Sequence, residues 1–369
     1  MTAPMLSFFT GGGFFDLGFK QAGFSVCWTN ENSPAFISGY EYGMSTWLSS
    51  IEKRSKEAHI TNTESICDLT ASAVLKEAFD TTRPTLFGVI GGPPCPDFSN
   101  GGSHAGGNGT NGVLTSVFTD MICDLHPTFF IIENVSGLYR FRKHRAFLDI
   151  KIAQLRECGY AVDCKVLNAL ELGVPQNRER LFIIGVKESI ATRAAGSNLA
   201  VGAEGWFPWP VIGSYVGAKS LMWPTTAPFG EKPNKPRGIP LELTVYPLLF
   251  GNGDPEKLPN GCEYFTPHSK RFNTIPEGEV ARKSFKRLHR YRYSPTAWYG
   301  NQEVHLHPSK ARRLSVREAL RIQTVPDEYE LPENMSLSAK FKMICNGVPC
   351  VMAFHLATAV KSFLKRASI

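Results

Sequence analysis

A chain of 369 residues, 43% hydrophobic and 20% charged, is long enough for two domains and has the make-up of an ordinary globular protein. Its formal charge of +7 and pI near 8.9 favour an anionic partner, and no run approaches the roughly eighteen uninterrupted apolar residues of a membrane span, so no membrane partner is expected. Nine scattered cysteines, never spaced Cys-x-x-Cys, argue against a disulfide framework or structural zinc site and for a reducing cytosol, and Met1 to Phe9 reads as the approach to a first strand rather than a leader.

Leu6-Ser-Phe-Phe9 predicts a short strand, Thr10-Gly-Gly-Gly13 a sharp turn, and Phe14 to Ala22 a helix ended by Gly23. A strand, glycine turn and helix in that order let a ligand approach the backbone closely, although the spacing is not that of a dinucleotide fingerprint. Ser25 to Trp28 reads as a second strand leading to Asn30-Glu31-Asn32. Glu31 follows Gly11 by twenty residues, where doubly wound folds place a carboxylate that accepts from ribose hydroxyls; a loop charge or helix cap is the alternative. Lys53 to His59 reads as a charged helical segment. Ile66-Cys-Asp-Leu69 reads as a strand end whose Asp68 either accepts from an exocyclic amine or is a plain turn residue.

Phe87 to Ile90 predicts a buried strand stopped by Gly91-Gly92, with Pro93-Pro94 setting Cys95 just past its end. The glycine-rich run Asn100 to Gly112 reads as a loop able to close on a substrate. Cys95 is then either a nucleophile or a buried strand-end thiol. Val113 to Leu125 has helical spacing, and Thr128 to Ile132 is a strongly apolar strand running into Glu133-Asn-Val135. A carboxylate there is partly desolvated, which favours its protonated form and proton donation near neutral pH; capping the next turn is the simpler role. Arg145 to Glu157 suits a helix, and Tyr160 to Leu167 and Leu181 to Val186 suit strands. Arg178 and Arg180, two apart in an extended segment, point the same way and suit a carbonyl oxygen, a carboxylate or a phosphate.

Taken in order, Phe9-Thr-Gly-Gly-Gly13, Gly91-Gly-Pro-Pro-Cys95 with Phe98-Ser99, Glu133-Asn-Val135, Gln176-x-Arg178-x-Arg180, Arg313 to Gln323 and Asn346-Gly-Val-Pro349 resemble the ordered motifs of prokaryotic cytosine-C5 DNA methyltransferases. The resemblance covers residues 5 to 186 and about 310 to 360. Three positions depart from it: Phe14 stands where the cofactor turn usually has glycine, Pro96 follows the cysteine in place of glutamine, and Cys345 precedes Asn346 where glycine is usual.

The resemblance implies an α/β, Rossmann-like sheet with helices on both faces, plus a smaller irregular target-recognition domain. It implies S-adenosylmethionine as methyl donor, no metal, duplex DNA as substrate and a cytoplasmic, prokaryotic setting with a separately encoded restriction endonuclease or other defence component as partner. Cys95, Glu133, Arg178 and Arg180 become catalytic, and Phe9, Gly11, Gly13, Glu31, Asp68 and Asn346 hold the donor. Pro94, Ser99 and Gln176 fall on the DNA side. Domain limits follow at 1–187 (catalytic), 188–312 (target recognition) and 313–369 (hinge helix and returning segment). An RNA-acting relative is the nearest alternative, disfavoured by the long interval between Arg180 and Arg313; a silent DNA-binding relative is disfavoured by the intact catalytic set.

Within that interval Trp206, Trp209 and Trp223 alternate with prolines and read as part of the irregular domain. His268 to Tyr293 carries eight Lys or Arg residues interleaved with aromatics, a candidate phosphate-contacting surface. Arg313 to Gln323 should join the domains, and Met352 to Leu364 should pack back on the sheet as a helix.

Overall fold

The computed structural model describes residues 3–51, 60–80, 82–94, 110–196, 204–282, 284–297, 299 and 304–368. Seven strands form the main sheet: β1 (Pro4–Phe8), β2 (Ser25–Asn30), β3 (Ile60–Asn62), β4 (Gly88–Gly91), β5 (Phe129–Val135), β6 (Tyr160–Asn168) and β7 (Glu179–Lys187). Their order is β3-β2-β1-β4-β5-β7-β6, with β1 to β5 parallel and β7 inserted antiparallel between β5 and β6. The helices are α1 (Phe14–Gln21), α2 (Pro34–Ile51), α3 (Ala71–Phe79), α4 (Thr110–Leu125), α5 (Gly137–Arg140), α6 (Arg142–Glu157), α7 (Glu188–Ala195), α8 (Val316–Ile322), α9 (Leu337–Asn346) and α10 (Cys350–Arg366). This is the doubly wound, Rossmann-like arrangement that the motif order implies.

Strand β5 shows why both faces are covered. Alternate side chains leave a strand on opposite sides, so Phe129 and Ile131 join one core with Phe15, Phe19, Met352 and Leu356, while Phe130 and Ile132 join another with Phe118, Ile122, Leu148 and Ile152. Antiparallel pairing sets Glu133 opposite Phe182 and Val135 opposite Arg180. The apolar ladder of Phe129, Ile131, Phe182 and Ile184 therefore ends, on the same sheet face, in Glu133 and Arg180.

Several expectations are corrected. Ile66–Asp68 is a 3-10 turn rather than a strand end, because the Ser65 hydroxyl accepts from Cys67 N and curls the chain; the edge strand is Ile60–Asn62. Trp206, Phe207 and Trp209 belong to the core beneath α10, where Asp163 of β6 accepts from Gly205 N, Phe207 N and Trp209 Nε1 at 2.9–3.1 Å. Cys123 of α4 and Cys158 after α6 are joined sulfur to sulfur, one bridge that the argument against a disulfide framework did not foresee, while the other described cysteines are free. Leu337–Arg366, long and apolar enough to cross a membrane by composition, is here two helices broken at Gly347–Pro349 and largely packed inside. The Lys53 to His59 segment lies outside the described residues.

Beneath the glycine turn a carboxylic acid is sealed in. Asp16 of α1 has no exposed surface and accepts from Ser7 Oγ at 2.7 Å, with the Tyr40 hydroxyl as a second donor. Burial outweighs these bonds and the attraction of Lys20, and pushes its pKa from 3.8 up to about 7. A carboxyl whose folded pKa is raised stabilises the fold fully below pH 4 and loses that contribution as pH climbs through 7. Between pH 5 and 8 the unfolding free energy of the wild type, read by urea titration, should therefore fall relative to Asp16→Asn by an amount on the order of a few kcal/mol. Parallel pH profiles for the two proteins would contradict this.

Candidate active site

Glu133 is the best-defined charged group at the carboxyl end of the parallel strands. It is 9% exposed, and Arg180 Nε donates to its Oε1 at 2.8 Å. Burial raises its pKa above the ordinary carboxylate range despite the opposing charges of Arg180 and Arg178. Its Oε2 lies 2.9 Å from the point a Cβ on Gly92 would occupy, so the second glycine of Gly91-Gly92 leaves room for the carboxylate. Pro93 is buried and Pro94 exposed as the chain leaves this spot towards Cys95. Cys95, Pro96 and Ser99, with the glycine-rich run to Gly109, lie outside the described residues.

Arg178 is fully buried, and its Nη2 donates to the carbonyls of Cys345 at 2.9 Å and Asn346 at 3.4 Å. Its Nε and Nη1 find no acceptor among the described residues. Desolvation and the neighbouring Arg180 charge push this guanidinium below its ordinary pKa. Two buried open donors on one planar group are costly unless an acceptor oxygen completes them. A protonatable carboxyl and a guanidinium with free donors can thus hold the edge of a planar heterocycle.

On the other side of β1 the chain enters a tight turn. Phe9, Gly11 and Gly13 all have positive φ (53°, 57° and 69°), the last at the N-terminus of α1. Such a backbone is strained for phenylalanine and free for glycine. Glu31 braces the turn: its Oε2 accepts from Gly11 N and its Oε1 from Ser33 N, each at 2.9 Å, so it both holds the glycines and starts α2. Glu31 thus fills the cap role. Asp68 is exposed on its 3-10 turn, and Asn346 is exposed at the end of α9.

The C-terminal segment completes this place, and no local sequence pattern announces it. Gln176 is fully buried; its Nε2 donates to Gln323 Oε1 at 3.0 Å and its Oε1 accepts from Ala297 N at 3.1 Å. Gln323 Nε2 in turn donates to Ile344 O at 2.6 Å. Gln176 is therefore a buried link between these segments rather than a surface group.

In the intervening region two of the eight basic residues are interior rather than on a phosphate-contacting surface. Arg287 donates to the carbonyls of Phe272, Ile275, His307 and Lys310, and Arg290 is paired bidentately with buried Glu277. A region with so little regular secondary structure leaves carbonyls unpaired, and a five-donor side chain satisfies them. Lys270, Arg271 and Arg282 remain exposed, Lys286 and Arg292 are half-buried, and Lys283 lies outside the described residues.

A family model described as C-5 cytosine-specific DNA methylase matches residues 4–200 and 255–362. The chain is 42% identical over 367 residues to the type II methyltransferase M.NmeDI of Neisseria meningitidis serogroup C, spanning 98% of this chain and 84% of that relative. It is 29% identical to the type II methyltransferase M.FnuDI of Fusobacterium nucleatum, spanning 98% and 94%. Among solved structures, an E. coli prophage-encoded protein assigned as a DNA modification methyltransferase matches with a TM-score of 0.66 at 21% identity, over 99% of this chain and 100% of that one. The S. pombe Dnmt2 methyltransferase matches with a TM-score of 0.61 at 13% identity, over 97% and 98%. At such identities these two structures speak to the fold alone.

The Gln176 bracket makes a stability prediction. Gln176→Ala strands the Gln323 carbonyl oxygen and the Ala297 amide in the interior, and should cost about 2–4 kcal/mol in urea unfolding. A loss below measurement error would remove the bracket from the account.

Proposed function

The chain belongs to the C-5 cytosine-specific DNA methylase family and is a DNA cytosine-5 methyltransferase, and on that premise we propose how its side chains divide the reaction. Cytosine C5 is too weak a nucleophile to take a methyl group unaided. The Cys95 thiolate adds to C6, forming an S–C6 bond and sending the ring electrons towards C5. Glu133, whose burial shifts it towards the neutral form, hydrogen-bonds or protonates N3 and makes C6 the better acceptor. Arg178 directs its open donors at O2, and Arg180 fixes Glu133. After methylation, loss of the C5 proton to a base restores the double bond and expels Cys95 as thiolate. The thiol must approach the ring face, so the cytosine leaves the helix stack. The observation that carries this reading is the buried Glu133–Arg180 pair beside Arg178, seated against Gly92 three residues before Cys95.

The turn from Phe9 to Gly13 fits the methyl donor: left-handed glycines permit close approach and Glu31 offers a carboxylate to a ribose. S-adenosylmethionine supplies an electrophilic methyl group on a sulfonium. Phe9, Gly11, Gly13, Glu31, Asp68 and Asn346 are the residues proposed to hold it, with no metal. Pro94, Ser99 and Gln176 would serve the DNA side. DNA reading falls between 188 and 312, although residues 204–212 pack on the catalytic core. The place of action is the prokaryotic cytoplasm, within a restriction–modification or related defence system whose endonuclease is encoded separately.

Labelled S-adenosylmethionine with duplex DNA tests this. The wild type should label DNA and not RNA; Cys95→Ala should transfer nothing measurable; and Glu133→Gln should lose about 10²–10⁴-fold in rate. Equal transfer by wild type and Cys95→Ala, or label confined to RNA, would defeat the assignment.

A further inference from the structure

Two of the family departures, Phe14 in the cofactor turn and Cys345 before Asn346, lie at one junction. Phe14 opens α1 directly after the turn and is 1% exposed. Its ring lies where the side chain of residue 347 would go: a Cβ on Gly347 would stand 2.3 Å from Phe14 Cδ2 and 3.0 Å from Cε2. Gly347 has φ −65° and ψ 150°, a backbone that any residue adopts. The glycine is therefore required by the phenyl ring and not by the chain's own conformation.

The same ring bears on the turn itself. A Cβ on Gly12 would meet Met343 Cγ at 2.9 Å and Phe14 Cε1 at 3.1 Å, although Gly12 lacks a positive φ. Tyr329, edge-on to Phe14 at 5.6 Å, donates its hydroxyl to Gly12 O at 2.8 Å, with Gly39 O at 3.2 Å as a second acceptor. On its far side the returning segment hangs from Arg178, through the carbonyls of Cys345 and Asn346. One apolar ring thus locks the turn at Gly12 to the segment that carries Asn346 and anchors the base-side arginine.

We propose that Phe14 is a positioning residue: interlocked with Gly347 and steadied by Tyr329, it sets the geometry of the methyl-donor turn from the C-terminal segment. The inference rests on the reading that this turn binds S-adenosylmethionine. Adding a side chain at 347 forces the ring, and with it the turn or Asn346, out of register. Shortening Phe14 at the same time removes the collision, so the two effects are coupled rather than additive.

Calorimetric titration of the full chain with S-adenosylhomocysteine reads this directly. Gly347→Ala should weaken binding about 10-fold or more, and Phe14→Ala about 5-fold. The double variant should bind no worse than Gly347→Ala alone. In turnover the loss should fall on the donor KM far more than on kcat, a split that general destabilisation would not produce. Tyr329→Phe, which keeps the ring and removes one hydroxyl, should weaken the same ligand about 3–10-fold while DNA affinity without donor is unchanged. It decides the matter if Gly347→Ala does not fold. Wild-type affinity in Gly347→Ala or in Tyr329→Phe, or a double variant showing the product of the two single losses, overturns the interlock and leaves the methyltransferase reading intact. A wild type that neither binds S-adenosylhomocysteine nor methylates DNA defeats both.

Discussion

A carboxyl group kept out of water at the end of an apolar strand is the constraint on which the rest of this molecule depends. Glu133 continues the Phe129–Ile131 side of β5, where burial favours its neutral form, and Arg180 of the antiparallel β7 meets it at bonding distance. Antiparallel insertion of β7 matters because it delivers Arg180 to the carboxyl end of β5. A parallel strand in that place would bring its opposite end there. The Arg180 charge orients the carboxyl, and burial shifts it towards its neutral form.

Around that pair the chain closes on itself over long sequence distances. Arg178 reaches the carbonyls of Cys345 and Asn346, Gln176 reaches Gln323, and Tyr329 reaches Gly12. Both halves of the proposed site, the base edge and the donor turn, are thus fixed by the C-terminal segment that follows residues 188–312. Isolating residues 1–187 would strip Arg178 and Gln176 of the partners that hold them, so the N-terminal portion does not keep this arrangement by itself.

What could be read in the amino-acid order follows from how local each signal is. The strand of Phe129 to Ile132, the glycine turn and the helix from Val113 to Leu125 depend on neighbours within a few residues, and their types are legible. Burial of charge is not local. Arg287 and Arg290 look like surface charges beside Lys270 and Arg271, yet they serve as donors inside a region poor in regular hydrogen bonding. Trp206 and Trp209, flanked by prolines, resemble loop residues until Asp163, more than forty positions earlier, is seen to accept from their segment. The Cys123–Cys158 pair was hidden because spacing carries no information about which thiols α4 and α6 bring together.

The central claim is that one sulfur bonds to a cytosine ring while Glu133 and Arg178 hold its edge. The most direct measurement uses a DNA duplex carrying 5-fluorocytosine at the methylated position, incubated with S-adenosylmethionine and resolved under denaturing conditions. Fluorine in place of the departing proton blocks release of the thiol, so the wild type should remain covalently attached to the DNA and Cys95→Ala should not. A wild type that methylates the normal duplex yet leaves no denaturation-resistant adduct on the fluorinated one would contradict the account.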